Sequence, residues 1–405
     1  VVASQLRHDQ SKKLCELCKE KNIPLITQRQ YGLLGYLRLY KNEHLIIESK
    51  PQDKVIDDLR TADPFPELLE FAQSFKLSEL PDHLHSHVPY AVILIQLMQA
   101  WMKDHDGKRP STTAEKDEFR NLVKSTSRAW GNEENFKEAY ENSYKSFNIS
   151  SIPFEVQQVI DDEKAKNPGA DDDIFWFVVS AIKKFMDNEG NGALPLIGSI
   201  PDMTSDTDSY INLQSIYNTR STDDFEKTRK HLDDTLAAAG RSSEDVSDEY
   251  FQRFCKNVYT LDCLRYRDID TEINKPNSDD ISCEFFDEDS LVHWYYALRA
   301  VDAYAANNGG VFPGVDEVTE DLVDQLSTLV RGFMTDAKLE NGTVNEDILK
   351  EIIRYGASEI HNVAAFMGGV TSQEAIKLIS EQYLPLNNTF LYSGITAKIQ
   401  QLELQ

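Results

Sequence analysis

Cys15 and Cys18 stand in the stretch LCELCKE as a lone C-x-x-C, on what reads as a helix. A structural zinc site needs a second such pair, or histidines at suitable spacing, and none follows at the usual distance. A redox role needs an electropositive, partly exposed setting that these neighbours do not supply. Half-buried packing is the better reading. Cys255, Cys263 and Cys283 are candidate nucleophiles in RFCKN, LDCLR and SCEFF. No small-residue elbow presents them, no histidine lies close by, and buried cysteine is the default. His83, His85 and His87 alternate in HLHSHVPY, a pattern that suggests a metal. They immediately precede a helix, however, so one of them capping it or facing a partner is the better reading. No G-x-S-x-G, H-E-x-x-H or paired-carboxylate constellation appears. The aspartate pairs 161–162, 223–224, 233–234 and 279–280 read as caps and solvated faces.

The stretch HNVAAFMGGVTSQEAIKLISEQYLPLNN sets Gly368 and Gly369 in front of an apparent helix. A Walker phosphate loop requires Gly-Lys-Ser/Thr, and here Val370 and Thr371 follow the glycines. Ile360, Val363, Ala364 and Met367 already keep helical spacing, so the glycines fall inside the helix. Glycine there costs about 1 kcal/mol relative to alanine. Keeping two predicts another backbone close against that face.

The elements that must position these residues follow from pattern and composition. The 405 residues suffice for two or three domains, and 40% are apolar, which fits a globular chain. The formal charge of −26 sets the surface against nucleic-acid phosphates and anionic lipid. It reads as solvation of a large surface, or as an acidic face that steers a basic protein. No apolar run is long and clean enough for a membrane span, and the scattered, odd cysteine count argues for an intracellular, reducing compartment.

Residues 1–50 alternate strand and helix: VVASQL, then the helical SKKLCELCKEKN, then LITQ, YGLLGYLRLY and HLIIES. Residues 51–340 read as helices broken by loops. HVPYAVILIQLMQAWMKDH is apolar almost all round and predicts an interior helix. Ser111 or Thr112 with Glu115 makes a capping box. Acids open DDDIFWFVVSAIKKFMDNEG, and Gly190 closes it. Residues 341–405 return to α/β character, with a long helix from near Ala357 to Tyr383 and strands in NNTFLYSG and KIQQLEL. The expected fold class is α/β, one sheet domain built from both chain ends and carrying a large all-α insertion. VVASQL reads as a strand entered midway, which predicts that the natural beginning is missing.

With YGLLGYLR (31–38), PFPEL (64–68), HSHVPY (85–90), DEFRNL (117–122), LPLIGSIPDMTSDTDSYINLQSIY (194–217), ALRAVDAY (297–304), FPGV (312–315) and the glycine helix, the chain resembles the regulatory subunits of the heterodimeric activating enzymes for the neddylation modifier, within the ubiquitin-activating enzyme family. The likeness runs from Val1 to the C-terminus. It implies a partial Rossmann-like adenylation fold that has lost the nucleotide site, and a helical insertion of the catalytic-cysteine type without that cysteine. The family's thioester cysteine is followed by Thr, and none of these five is. ATP, Mg and structural zinc are then implied on a catalytic partner, with no cofactor, metal or catalytic residue on this chain. The implied partners are that subunit and the ubiquitin-like modifier, and the implied setting is cytoplasmic and nuclear. The resemblance places the glycine helix against the adenylation sheet, near the subunit contact.

It also points to His87 and to the segment Asp202, Met203, Thr204, Ser205, Asp206, Thr207, Asp208, Ser209, Tyr210, Ile211, Asn212, Leu213, Gln214 and Ser215 as partner interface. The segment runs through polar turn residues into an amphipathic start, a mix that suits docking. From the residues alone it reads as an ordinary loop-to-helix junction, and His87 as a helix cap. The family's first strands, and an arginine that reaches the partner's nucleotide site, are lacking here. That predicts an unprotected sheet edge, one poorly covered face, low solubility alone and weakened pairing. The rival functions are a free-standing helical adaptor derived from this family, and an intact adenylating enzyme of a sister pathway, which needs a Cys-Thr motif.

Overall fold

A computed structural model describes residues 1–50, 58–149, 152–274, 278–315, 317–339 and 344–403, without the side chains of 273–274 and 278–280. The expected boundaries just after 50 and at 340, the side chains of Asp279 and Asp280, and Leu404 of the last expected strand lie outside the described residues. The chain divides into two compact units: Val1–Lys50 with Cys263–Gln405, and Pro51–Asp262.

The first unit is mixed α/β. Its strands β1 (Val2–Ser4), β2 (Leu25–Tyr31) and β3 (Leu34–Tyr40) come from the start of the chain. Two short strands, β4 (His44–Ile46) and β5 (Asp262–Leu264), lie outside the main sheet, and β6 (Thr389–Ser393) and β7 (Lys398–Leu402) come from its end. The sheet order is β1-β2-β3-β6-β7, with both chain ends contributing. β1 runs parallel to β2 and is joined to it by the helix His8–Glu20. The other pairs are antiparallel, with Ile26 opposite Leu39 and Leu34 opposite Ser393. One βαβ crossover therefore sits beside hairpin-type pairing, and the sheet is mixed rather than doubly wound and parallel.

Every residue of β3 is buried, because helices cover both of its faces. Leu34 and Tyr36 pack with Tyr295, Val301 and Ile352 in one cluster. Leu37 and Leu39 pack with Cys15, Cys18, Val363 and Met367 in another. This is the period-2 alternation of a strand between two layers. The expectation of a poorly covered face does not hold for the middle of the sheet. β1 is an edge strand of the sheet, and Val1 and Val2 are exposed.

The helices Val292–Asn307, Glu320–Asp336 and Glu346–Tyr355 belong to this first unit and form much of the first cluster. The helical block expected to run to 340 is thus shorter as a compact unit, ending at Asp262. The pattern over 51–340 predicts helices but does not say which layer their apolar faces meet, and the helix Glu346–Tyr355, with Leu349, Ile352 and Ile353 buried, is not among the expected elements. Two arginines are buried beneath them. Arg38 pairs with Glu272 at 2.5 Å, and Arg29 pairs with Asp302.

The second unit is helical. Tyr90–Asp104 is its interior helix, with Ala91–Ile95 buried in an unbroken run. Thr112 and Glu115 form the expected capping box. Asp173 caps Ile174–Asn188 by accepting the Phe175 amide. The longest helix, Thr207–Ala238, starts inside the segment singled out above.

Candidate partner interface

The chemistry-bearing residues separate rather than converge. Cys15 and Cys18 are buried on one helix face, and burial pushes the Cys15 thiol up. Cys255 is buried too, and burial alone pushes its thiol to about 12, which leaves it protonated and inert. Cys263 is half-buried and Cys283 exposed. Among the described residues no group of three or more His, Cys, Asp or Glu is placed to hold a metal ion.

The three histidines divide by role. His85 is buried, stacks on Phe136 at 4.8 Å and sets its Nδ1 2.6 Å from Glu133 Oε1. The other oxygen of Glu133 accepts the Ser127 hydroxyl at 2.6 Å and the Arg128 amide at 2.8 Å. Burial pulls the Glu133 carboxyl up, but the bonds from Ser127, His85 and Ala129 outweigh it and hold it below the usual range. His85 is therefore a satisfied core histidine. His83 and His87 are exposed. His87 Nδ1 lies 2.8 Å from the His83 carbonyl, so it closes the short helix before it and leaves the helix after it uncapped by a side chain.

The two sites singled out in the sequence meet. The Asp206 amide donates to the His87 carbonyl at 3.2 Å. The Asp206 carboxylate caps Thr207–Ala238 by accepting the Ser209 amide at 2.9 Å. Burial raises this carboxyl, and the Ser209 bonds more than offset that, leaving it below its ordinary value. Glu138 receives both the Thr204 amide and hydroxyl, at 2.9 and 2.7 Å. Asn135 donates to the carbonyls of His85 and Val88. One helix, Glu134–Glu141, thus ties down both loops.

The segment sorts by exposure. Met203 and Leu213 are buried in the unit's own core, and Tyr210 packs partly against it. Thr204, Ser205, Asp206 and Ser209 are half-buried turn and cap residues. Asp202, Thr207, Asp208, Ile211, Asn212, Gln214 and Ser215 face solvent, as does His87. Ile211 is the one large apolar side chain of the segment standing outward, 55% exposed.

The helix expected from Ala357 to Tyr383 spans His361–Ser380, ended by Glu381 in the left-handed conformation. Gly368 and Gly369 lie in its interior, where their amides serve the helix, so no phosphate cradle forms. The backbone expected against them is also missing: a Cβ built on either glycine meets nothing within 4 Å among the described residues. The close approach lies across the helix instead. Val363, Met367 and Leu378 face the sheet, and a Cβ at Gly35 of β3 would press within 2.8 Å of Met367 Cγ. On the outward side Ala365, Gly369, Ser372, Ile376 and Ile379 recur at i, i+4, i+7, i+11 and i+14, all exposed. Ile379 is 83% exposed, and Tyr383 and Leu384, beyond the helix end, are exposed as well. Sequence reasoning missed this stripe. Its signal was a second set of helically spaced small and apolar residues, offset from the core set.

No protein-family model matches this chain. Individual relatives do. It is 40% identical over its full length to the NEDD8-activating enzyme E1 regulatory subunit AXR1 of Arabidopsis thaliana, of which it spans 75%. It is 34% identical to the Xenopus laevis NEDD8-activating enzyme E1 regulatory subunit, with 98% of the chain and 75% of the relative covered. The Saccharomyces cerevisiae regulatory subunit is 26% identical over 92% of the chain and 70% of its own length.

The chain belongs to the NEDD8-activating enzyme E1 regulatory subunits. It is a regulatory subunit of the neddylation activating enzyme. Its described residues include the tethered junction of His87 with Asp206 and the exposed stripe of the 361–380 helix.

Proposed function

We propose that this regulatory subunit is the non-catalytic half of a heterodimer, and that it docks the catalytic subunit through the outward stripe of the 361–380 helix. The observation that carries the reading is Ile376 and Ile379 standing in solvent on a helix whose glycines have no described residue within 4 Å of an added Cβ. Apolar surface left bare in this way marks an interface. Small residues let a second helix approach closely, and the isoleucines give it area to bury. The exposed residues of 202–215, with Ile211 as anchor, are a second contact, held in register by Glu138 and His87.

In this reading the single β1–helix–β2 crossover is part of a Rossmann-like adenylation fold, and Pro51–Asp262 is the inserted helical unit. The partner supplies ATP with Mg, any structural zinc and the cysteine that carries the modifier as a thioester. This chain supplies shape to the catalytic subunit and to the ubiquitin-like modifier. The scattered, odd count of five cysteines supports a cytoplasmic and nuclear setting.

The test is modifier-dependent ATP–pyrophosphate exchange together with co-elution. The chain with its catalytic subunit exchanges, and the chain alone does not. Ile379→Asp keeps its fold and loses the partner. Robust exchange by this polypeptide alone, or full pairing by the Ile379→Asp variant, overturns the reading.

A further inference from the structure

Within the first unit, three guanidinium groups and two carboxylates are buried close to one another. Arg29, Arg38 and Arg299 are each less than a tenth exposed, as are Asp302 and Glu272. Both carboxylates are committed. Asp302 takes Arg29 on one oxygen and the His8 amide, at 2.9 Å, on the other. Glu272 takes Arg38 on one oxygen and the Tyr295 hydroxyl, at 2.5 Å, on the other. Arg299 is left with no carboxylate in ion-pair distance among the described residues. Its guanidinium lies over the rings of Phe333, Tyr296 and Tyr295, at 4.6, 5.2 and 5.7 Å. A ring face contributes about 0.5–2 kcal/mol, well short of the several kcal/mol that burying an ion costs.

A cavity of about 20 Å³ opens beside this cluster, lined by His8, Ser11, Arg29, Tyr36, Arg299 and Asp302. That volume suits one small occupant. The polar groups facing it are short of acceptors. His8 Nε2 is buried without a partner, and the hydroxyls of Ser11 and Tyr36 donate to no described residue. Asp302, the one carboxylate in the lining, already accepts a bond on each oxygen. Water can bond to the Ser11 and Tyr36 hydroxyls, but it leaves the Arg299 charge uncompensated, whereas an anion takes the same hydroxyl bonds and neutralises that charge.

We propose that this cavity is a binding site for a monovalent anion of halide size, held by Arg299, Ser11 Oγ, Tyr36 Oη and His8 Nε2. The ion neutralises the surplus guanidinium. It also links three elements of the unit: the 8–20 helix, β3 and the 292–307 helix. Burial together with the charges of Arg299, Arg38 and Arg29 drives the His8 ring down to about 3, so the ring is neutral and donates without adding charge. The site does not depend on pairing with a catalytic subunit.

The experiment compares thermal unfolding of the full chain in sodium chloride, sodium bromide and sodium gluconate at matched ionic strength. A specific site raises the midpoint by about 2–4 °C in the halides relative to gluconate. Arg299→Met abolishes the increment, and the milder Tyr36→Phe and Ser11→Ala reduce it should Arg299→Met fail to fold. Crystals grown in bromide are expected to show an anomalous peak in the cavity. Equal midpoints in all three salts, or a bromide crystal with only water there, overturns the proposal.

Discussion

The carbonyl oxygen of His87 accepts the amide of Asp206 at 3.2 Å, and Asp206 in turn caps the 207–238 helix through its side chain. One residue therefore fixes both the height of the HSHVPY turn and the start of the longest helix in the molecule. Asp206→Ala removes the cap but keeps the backbone bond. It is expected to cost about 1 kcal/mol of stability, read from chemical unfolding, and Asp206→Asn to cost much less.

The outward glycines separate folding from pairing. Gly369→Ala meets open space in this chain and replaces a poor helix former, so it should stabilise the isolated protein by up to about 1 kcal/mol. If a partner helix seats there, the same substitution weakens association with the catalytic subunit. Unfolding of the chain alone and titration with the partner measure the two effects, and their opposite signs are the diagnostic outcome.

The close contact on the inner side behaves the other way. Gly35→Ala drives a methyl group into Met367 and is expected to destabilise by about 1–3 kcal/mol. Met367→Ala alone opens a cavity and costs about 2–5 kcal/mol. The double variant should recover much of the loss, a coupling that a double-mutant cycle reads directly.

Acid should weaken the first unit through His44. Its ring is buried beside Lys41, with Nδ1 3.2 Å from Nζ, and burial followed by the lysine charge lowers it from 6.5 to about 4. The folded state then resists a proton that the unfolded chain accepts. Stability is full above pH 6.5 and falls as pH drops from there towards 4, by roughly 3 kcal/mol at the lower end. His44→Leu is expected to flatten the slope in that window. An unchanged slope would remove His44 from the account.

The helices and strands were legible because their signals are local. Thr112 with Glu115, Asp173 ahead of Ile174, and the alternation in YGLLGYLRLY each determine their own element. The division of the chain was less legible. The helix Val292–Asn307 carries Tyr295, and nothing local in its sequence announces that Tyr36 of the sheet lies against that ring. The site was read in the same uneven way. The 202–215 segment stood out as polar turns before an amphipathic start, yet the burial of Met203 and Leu213 and the tether to His87 depend on residues far away in sequence. From sequence the glycine pair suggests tight packing. Its emptiness appeared only once the neighbours were in place, because the residue type records a missing side chain and says nothing of what fills the space.

The pairing of Leu34 with Ser393 has a consequence for how the molecule is made. On a ribosome the central strand emerges long before its antiparallel neighbour, by roughly 20–70 s at about 5–20 residues per second. Pro51–Asp262 is contiguous and can finish folding in that interval, while β3 waits with one edge unpaired. In a nascent chain of this design that edge of β3 stays open to pairing with other chains until residues 389–393 arrive.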